Sequence, residues 1–318
     1  MKRLAQLTLA LGAGVIAGTV ATPAAAWNCR GHEMVAAVAW RHITSDTVKA
    51  RVVALLEKNP NLPAWEGHVG NLDRGEALFI QASCWPDDIK SAAGYHDPGH
   101  GQADPNPDQN IGYADTWRHR EWHFEDIAFS PDGSALPSDP AVNAATRIVD
   151  FRTSLGSTAS DDVKSYDLAW LIHLVGDVHQ PLHATSRFLA GKGDNGGNAV
   201  CLVGPPTQFG CPNLHAFWDD QLGASRVPTA ADHAVASFGN APTAKVADTD
   251  IHHWLVDSEA LAESTAYAAP IDNTLGPLNL KAKDAVTTKY RSNAKAVARA
   301  QVELAGERLA KLLQENLR

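Results

Sequence analysis

The sequence has few cationic residues, few strand signals and, beyond residues 1–26, no long apolar run. Lys and Arg number 27 against 36 Asp and Glu, which gives a formal net charge of −9. Such a chain does not hold a polyanion through a broadly basic surface. A run of about 20 apolar residues is needed to cross a bilayer, and residues 27–318 contain none. The sequence therefore argues against a basic polyanion-binding module and a membrane-spanning protein, although bound metal can still supply positive charge locally.

Cysteine is also scarce, with four residues at Cys29, Cys84, Cys201 and Cys211. None of them forms the C-x-x-C spacing of structural zinc sites. An even number in an oxidising compartment favours disulfides, and four cysteines allow three pairings. Cys201 and Cys211 flank a Gly/Pro-rich loop, so we expect them to pair and leave Cys29 for Cys84. The sequence alone leaves the other two pairings open.

The N-terminal segment has the features of a secretory signal peptide. Two cations precede an apolar run over residues 4–20, and Ala24 and Ala26 fit an A-x-A cleavage site. The alternative is a membrane anchor, but Gly and Ala dilute the run and no stop-transfer charges follow it. We therefore expect residues 1–26 to be removed and residues 27–318 to be exported, to the periplasm or the medium.

Apolar residues at three- and four-residue spacings predict a mainly helical protein. Ser45 and Ser160 lie where helix N-caps are expected. Strand signals are sparse, and only residues 199–203 are expected to form one side of a short hairpin. Because no internal repeat and no Pro/Ser linker is present, residues 27–318 are predicted to form one all-α domain. The predicted helices are residues 34–43, 47–56, 141–151, 166–178, 249–267 and 284–317, and long polar loops, whose length favours a functional role, cover residues 94–115 and 186–198.

The chain contains 14 histidines, and the densest group lies in residues 171–183. His173 and Asp177 are separated by four residues, so they project from one face of a helix, as ligand pairs do in helical zinc sites. Pro181 disrupts the helix and lets His183 turn back. Asp177 has two oxygens and can bridge two ions. The alternative is a buried polar pair, but burying these groups without a partner is costly, so metal binding is favoured.

Three further segments carry possible ligands. His215 and Asp219 repeat the four-residue spacing, His123 lies in an aromatic setting at residues 121–126, and Asp87 follows a proline. Each is weak alone, because tryptophan neighbours are usually core and paired aspartates often begin a helix. Together they form a set of nitrogen and oxygen donors, which suits catalytic zinc.

The first residues of the expected mature chain supply one more ligand group. Cleavage before Trp27 would free an α-amino group, which can chelate an ion together with the Trp27 carbonyl. His32 would add a third ligand. The alternative is an ordinary buried tryptophan near a terminus.

These motifs resemble those of a known family. A leading Trp, G-H, W-P-D, W-H-F-x-D, H-L-V-G-D-x-H-Q-P-L-H and N-L-H-x-x-W-D occur in this order in the zinc-dependent single-strand nucleases of the S1/P1 family, within the phospholipase C/nuclease superfamily. The resemblance covers essentially all of residues 27–318 and suggests an exported bacterial member. It implies a single mainly helical domain of the phospholipase C/nuclease type, with a short β-hairpin and long active-site loops.

The resemblance also implies three Zn²⁺ ions per chain, with Asp177 shared by two close ions. The implied ligands are Asp87, His123, His173 and Asp177 for the first ion, the Trp27 amine and carbonyl, His32 and Asp177 for its neighbour, and His183, His215 and Asp219 for the distant ion.

Other matches concern the substrate. Lys90 falls where many relatives carry an arginine near the scissile phosphate, and it lacks the bidentate fork of arginine. Phe124 and Asp126 match positions where relatives hold a base. The histidines that match no ligand position are expected at the surface or behind the ligands, for example His96, His100, His119 and His179.

The implied activity is an endonuclease that cleaves single-stranded RNA and DNA to 5′-phosphate products and also removes 3′-phosphates from nucleotides. Metal-activated water would attack phosphorus, with Asp87, Asp177 and Lys90 as catalytic residues. Neither a stable protein partner nor a membrane anchor is implied. The first alternative is a zinc-dependent phospholipase C acting on phospholipid headgroups, against which W-H-F-x-D and N-L-H-x-x-W-D argue. The second is a zinc-binding protein without catalysis.

Overall fold

The computed structural model describes residues 27–99, 104–202, 210–271 and 286–317, and most of these residues are helical. Helices begin and end as follows: α1 Cys29–His42, α2 Asp46–Leu56, α3 Leu62–Glu66, α4 Arg74–Ala82, α5 Trp85–Asp88, α6 Ala144–Leu155, α7 Asp161–Asp177, α8 Leu214–Asp219, α9 Pro228–Val235, α10 Thr243–Ala247, α11 Ile251–Leu261 and α12 Thr288–Asn316. A π-helical turn, Ala262–Ala266, continues α11. Short 3₁₀ helices cover Gly112–Ala114, Arg120–His123, Pro181–His183 and Asp220–Leu222.

Side-chain caps fix where several helices begin. The Ser45 hydroxyl accepts the Val48 amide at the start of α2, and Ser160 accepts Val163 at the start of α7. Each cap satisfies a backbone donor that the first helical turn leaves free. Both caps were expected from the sequence, and both are confirmed.

Helix α7 lies in the middle of the core. Every residue from Ser165 to Asp177 is buried, and the helix packs against α1, α2, α5, α6 and α12. The long helix α12 lies across α1, where Gly306 permits close approach because a Cβ at that position would collide with Val38. Polar side chains between Ser165 and Asp177 are therefore enclosed by the surrounding helices.

A cluster of aromatic rings supports the segments around α7. Trp170 on α7 contacts Trp85 with ring centroids 6.2 Å apart and Trp122 with centroids 4.8 Å apart. Trp85 opens α5, and Trp122 lies in the 3₁₀ helix Arg120–His123. The tryptophans are core residues, and they also fix the two segments that carry Asp87 and His123.

Two disulfides match the expected pairing. Cys29 and Cys84 are joined with their Cα atoms 5.2 Å apart, and Cys201 and Cys211 with theirs 5.6 Å apart. The first bond ties the start of α1 to the residue before α5. It therefore connects the segments that carry His32 and Asp87.

The mainly helical fold with a short hairpin is confirmed. The two strands lie a few residues before the segment expected to form one side of the hairpin, which itself pairs antiparallel with residues 212–214 over a single bridge. Strands β1, Phe188–Leu189, and β2, Lys192–Gly193, pair antiparallel around Ala190 and Gly191. Both turn residues have positive φ, which is the geometry of a two-residue hairpin turn. In the segment predicted as a strand, Cys201 makes an isolated bridge with Asn213, and residue 203 lies outside the described residues.

Several helix boundaries differ from the predictions. Helices α1 and α7 begin earlier than expected, and α12 begins at Thr288, while residues 284–285 lie outside the described residues. Helices α3, α4, α9 and α10 were not predicted. The expected signal peptide, residues 1–26, and His100 also lie outside the described residues. Among the helices of the described segments, none has the length and apolarity that a bilayer crossing requires.

Candidate metal centre

Helix α7 presents His173 and Asp177 on one face, one turn apart. The His173 Nδ1 atom donates to the carbonyl oxygen of Ser83 at 2.6 Å, so Nε2 is left to accept in the neutral ring. This Nε2 lies 3.2 Å from Asp177 Oδ2 and 3.0 Å from His123 Nδ1. Three nitrogen and oxygen donors thus converge in a buried space. The four-residue spacing predicted the proximity of His173 and Asp177, but not that of His123.

His123 reaches this space from the end of the 3₁₀ helix Arg120–His123. Its Nδ1 lies 3.0 Å from Asp177 Oδ2 and 3.9 Å from Asp87 Oδ1. Burial, together with the nearby Lys90 ammonium, lowers the pKa of His123 to about 3. The imidazole is therefore neutral at pH 7, the state in which histidine binds metal.

Asp87 completes this group from α5. Its Oδ1 lies 3.7 Å from His173 Nε2 and accepts a hydrogen bond of 2.7 Å from the Lys90 ammonium. Burial alone would raise the pKa of the Asp87 carboxyl, but Lys90 and the surrounding histidines outweigh it and hold the pKa below its usual range. Asp87 is therefore a carboxylate, and Lys90 is held beside the group by a three-residue helical spacing.

His32 on α1 approaches Asp177 from the other side. Its Nε2 lies 3.3 Å from Asp177 Oδ1, and its ring stacks on His173 with centroids 3.7 Å apart. The stack needs a glycine at position 176, because a Cβ there would lie 2.8 Å from His32 Nδ1. The two oxygens of Asp177 therefore face different histidines, Oδ1 towards His32 and Oδ2 towards His123 and His173.

Trp27 packs beside His32. Its side chain is fully buried, and a Cβ on Gly31 would lie 2.6 Å from the Trp27 Cβ. The G-H pair of the sequence thus places the tryptophan against the first turn of α1. The expected ligand role of the Trp27 amine depends on cleavage after residue 26, which lies outside the described residues.

A second group consists of His183, His215 and Asp219. His215 and Asp219 lie one turn apart on α8, with His215 Nε2 and Asp219 Oδ2 separated by 3.6 Å. The Nε2 atoms of His183 and His215 are 3.0 Å apart. His183 Nδ1 donates to the carbonyl oxygen of His123 at 2.7 Å, which connects the second group to the first.

The donor chemistry of the second group calls for a cation. His215 Nδ1 donates to the Gly196 carbonyl oxygen at 2.7 Å, as His183 Nδ1 does to that of His123. Burial and the neighbouring His183 lower the pKa of His215 to about 3, and burial also lowers the pKa of His183. With both rings neutral and both Nδ1 protons engaged, two Nε2 lone pairs face each other at 3.0 Å. A metal ion between them turns this repulsion into coordination, so the residues fit a bound metal.

The Asp219 carboxyl group also indicates that a cation binds in the second group. Burial raises the pKa of its carboxyl well above the usual range, and its hydrogen bond from Gln180 Nε2, of 2.7 Å, does not offset that cost. A cation beside Asp219 would stabilise the charged form. Gln180 was not predicted as a functional residue. Its Oε1 also accepts the Leu182 amide at 2.6 Å, so it fixes both Asp219 and the turn before His183.

The loop over residues 186–198 was predicted, but its contact with His215 was not. Gly196 has φ +59, and a Cβ there would lie 2.5 Å from the Leu182 carbonyl oxygen. Only glycine therefore fits where the backbone passes between Leu182 and the His215 ring. Asp194 shapes the loop by accepting the Gly197 amide at 3.1 Å. The signal was the D-N-G-G-N run, a concentration of turn-forming residues inside a predicted long loop.

The two expected base-contacting residues lie beside His183. The backbone amide of Glu125 donates to the His183 carbonyl oxygen at 3.0 Å, which fixes Phe124 and Asp126 on either side of it. The Phe124 side chain is 37 % exposed, one of the few large apolar side chains at the surface. Burial raises the pKa of the Asp126 carboxyl to about 6, although a hydrogen bond with Ser186 opposes the shift.

The histidines without an expected ligand role lie partly at the surface and partly in the interior. His96 is exposed and packs on Trp117, with ring centroids 5.4 Å apart. His119 and His179 are fully buried, so for them a surface position is wrong. His179 Nδ1 donates to the Val175 carbonyl oxygen at 2.7 Å, and its Nε2 lies 2.9 Å from Arg308, which anchors the end of α7 to α12.

Comparison with known proteins shows a match to one family and to named relatives. The family model for S1/P1 Nuclease matches residues 27–318. The chain is similar to Endonuclease 3 of Arabidopsis thaliana, at 28 % identity over 209 residues, 64 % of this chain and 56 % of that protein. It is also similar to Nuclease S1 of Aspergillus oryzae, at 26 % identity over 202 residues, 62 % of this chain and 54 % of that protein. The chain thus spans little more than half the length of these two relatives.

Proposed function

The chain belongs to the S1/P1 nuclease family, and from this premise we propose that it is a zinc-dependent phosphodiesterase. The proposed activity is endonucleolytic cleavage of single-stranded RNA and DNA to 5′-phosphate products, together with removal of 3′-phosphates from nucleotides. The names of two similar proteins, Endonuclease 3 and Nuclease S1, support this class of reaction.

The observation that supports a metal-dependent reaction best is the pair of facing lone pairs on His183 and His215, 3.0 Å apart. The two-sided position of Asp177 adds to it, because each carboxylate oxygen faces a different set of histidines. We assign three zinc ions to these groups. The proposed ligands are Asp87, His123, His173 and Asp177 for the first ion, Trp27, His32 and Asp177 for the second, and His183, His215 and Asp219 for the third.

Zinc is the proposed metal because the donors are imidazole nitrogens and carboxylate oxygens. This set suits zinc in sites that keep positions open for water or substrate. All four cysteines are in disulfides and do not compete as ligands. When bound, ions of this kind supply positive charge that polarises a phosphate ester and makes water a better nucleophile.

The chain's own residues orient the substrate around this centre. Lys90, held 2.7 Å from Asp87, places a cation where it attracts a phosphate oxygen. The exposed Phe124 ring offers a face on which an unpaired base stacks, which favours single strands because a paired base is not free to leave its duplex. Asp126, beside it, presents a carboxyl group for hydrogen bonds with a base edge.

The low number of cations fits this arrangement. With a net charge of −9, the chain attracts phosphate through the centre and Lys90 rather than through a broad basic surface. Distant phosphates of a long strand are then held weakly. We therefore propose an enzyme that releases its substrate between cleavages.

Export is part of the proposal. Two disulfides suit an oxidising compartment, the periplasm or the medium. Removal of residues 1–26 would both complete export and create the Trp27 amine as a ligand. A variant that keeps extra residues before Trp27 should bind one zinc ion fewer than the correctly cleaved protein. If it binds as many zinc ions as the correctly cleaved protein and retains the full rate, the proposed amine ligand is wrong.

Four substrates test the activity in parallel: single-stranded nucleic acid, the same sequence as a duplex, a 3′-nucleotide and phosphatidylcholine vesicles. Zinc content is measured on the same preparation. We expect cleavage of the single strand and the 3′-nucleotide, and slow cleavage of the duplex. Hydrolysis of lipid alone would identify a phospholipase C instead, and a fully zinc-loaded protein that hydrolyses none of the four would be a binding protein.

A further inference from the structure

A second cluster of metal-binding side chains surrounds His119, outside the centre described above. His119 is fully buried, Asp104 and Asp115 are 3 % and 2 % exposed, and Glu121 is mostly buried. The acids come from the loop before and the 3₁₀ helix after the histidine. Three carboxyl groups thus converge on one imidazole in the interior.

Asp115 fixes the orientation of the His119 ring. His119 Nε2 lies 2.8 Å from Asp115 Oδ2, and the other oxygen of Asp115 accepts the Trp117 amide at 3.0 Å. A carboxylate accepts, so Nε2 carries the proton and donates. Despite burial, the surrounding carboxyl groups raise the pKa of His119 to about 10, so a metal at Nδ1 would displace a proton from that atom. In the neutral ring that results, Nδ1 is an unprotonated donor to the metal on the opposite edge.

Nδ1 points into a space bordered by two more carboxylates. It lies 3.1 Å from Asp104 Oδ2 and 3.6 Å from Glu121 Oε1. Within the described residues, neither His119 Nδ1 nor Glu121 Oε1 has a hydrogen-bond partner, although both atoms are buried. Asp104 Oδ2 already accepts the His119 amide at 2.7 Å. Buried polar atoms without partners are costly, so this arrangement calls for a group that satisfies both.

We propose that a divalent cation binds between His119 Nδ1, Asp104 and Glu121. The pattern repeats that of the main centre, where a histidine nitrogen faces the metal and its other nitrogen donates to a fixed oxygen. Here Asp115 supplies that oxygen. One nitrogen and two carboxylate donors suit zinc, which is the probe used below. The ion would also neutralise part of the negative charge of the three carboxylates, which a single histidine cannot balance.

The site would brace the segment that carries His123. His119 has φ +44, a left-handed conformation that is uncommon for residues other than glycine, at the start of the 3₁₀ helix ending in His123. Its ring stacks on Trp122 with centroids 3.5 Å apart and planes 4° apart, and Trp122 contacts Trp170. An ion at His119 would hold this backbone in place from behind the tryptophan. Such an ion is structural rather than catalytic.

Zinc-anomalous diffraction from crystals grown with zinc tests the proposal in the unmodified protein. Peaks at the His173 and His183 groups report that the crystal is loaded. We expect a further peak bounded by Asp104, His119 and Glu121. Loaded crystals without that peak would overturn the inference, since an imidazolium held by three carboxylates would then fill the cluster without a metal.

Zinc counts by native mass spectrometry, after dialysis at fixed free zinc, give a second test. Glu121→Gln and Asp104→Asn each remove one ligand charge while keeping the side-chain shape. Both should hold one zinc ion fewer than the wild type. Asp97→Asn is the matched control, because Asp97 lies in the same region but pairs with Arg118 and Arg120 at the surface. Equal counts in all four proteins would contradict the proposal, whereas loss of activity alone would concern only the main centre.

Discussion

Asp177→Asn separates a shared metal ligand from an ordinary buried carboxylate. The change keeps the shape of the side chain but removes its charge and replaces one acceptor oxygen by an NH₂ group. The oxygens of Asp177 lie 3.3 Å from His32 Nε2, 3.0 Å from His123 Nδ1 and 3.2 Å from His173 Nε2. Both neighbouring ions would therefore lose a ligand at once.

The magnitude follows from the position of Asp177. Removing a group that only supports a ligand lowers metal affinity by about 10- to 100-fold. Asp177 faces the ions directly, so we expect the affinity for each of the two ions to fall by at least about 100-fold, or about 2.8 kcal/mol. The His183 group does not include Asp177 and should keep its ion. The variant is thus expected to hold one zinc ion at the main centre, where three are proposed for the wild type.

The assay combines zinc content with kcat/KM on single-stranded DNA. Asp162→Asn is the control, because Asp162 lies on the same helix with its side chain 76 % exposed and pairs only loosely with Lys58, at 3.6 Å. The control should match the wild type in both measurements. If Asp177→Asn keeps the wild-type zinc content and rate, Asp177 is a buried structural carboxylate and the shared-ligand assignment is wrong.

Three further changes probe the surroundings of the centre. Gln180→Leu removes the hydrogen bond to Asp219 and should lower the affinity for one zinc ion by about 10- to 100-fold in a competition titration. Unchanged affinity would contradict the role of Gln180 in positioning Asp219. Gly196→Ala should lower the free energy of unfolding by about 1–3 kcal/mol and release zinc. Gly191→Ala should lower it less, because Gly191 has a similar φ but open space around it. Equal losses of stability in the two variants would refute the steric argument. Burial raises the pKa of Asp167 from 3.8 to about 6, so the ionisation of this carboxyl lowers the stability of the folded protein as the pH rises through this window. Asp167→Asn has no such group. Between pH 4 and pH 7 its free energy of unfolding, measured in chemical unfolding, should therefore rise by up to about 3 kcal/mol relative to the wild type. A stability difference that does not change with pH would rule this out.

The sequence predicted best those features that depend on local spacing. His173 with Asp177 and His215 with Asp219 lie four residues apart, and helix geometry alone places each pair together. The caps Ser45 and Ser160 are equally local. Helix α4 has a local signal of the same kind: Asp73, its N-cap, stands three residues before Glu76. This helix was nevertheless not predicted.

Features that depend on contacts between distant segments were not accessible in this way. The orientation of His183 depends on the carbonyl oxygen of His123, 60 residues earlier, and that of His215 on the carbonyl oxygen of Gly196. Only the ordered motifs of the family placed these residues in one group. The acids around His119 come from an irregular loop and a 3₁₀ helix, so although Asp115 lies four residues before His119, no helix face brings the cluster together. The sequence therefore left this histidine without a role.

The position of the centre in the core links metal binding to stability. Helix α7 is buried from Ser165 to Asp177, so its two ligands take imidazole and carboxylate groups out of water. In the second group, burial without a cation leaves Asp219 with a raised pKa and the His183 and His215 lone pairs in opposition. An ion that binds only the folded chain stabilises it by about 4 kcal/mol at 1,000 times its dissociation constant. The same burial that makes the ligands costly without metal would make zinc, bound as proposed, part of the folded core. Loss of zinc should then lower the unfolding temperature together with the activity.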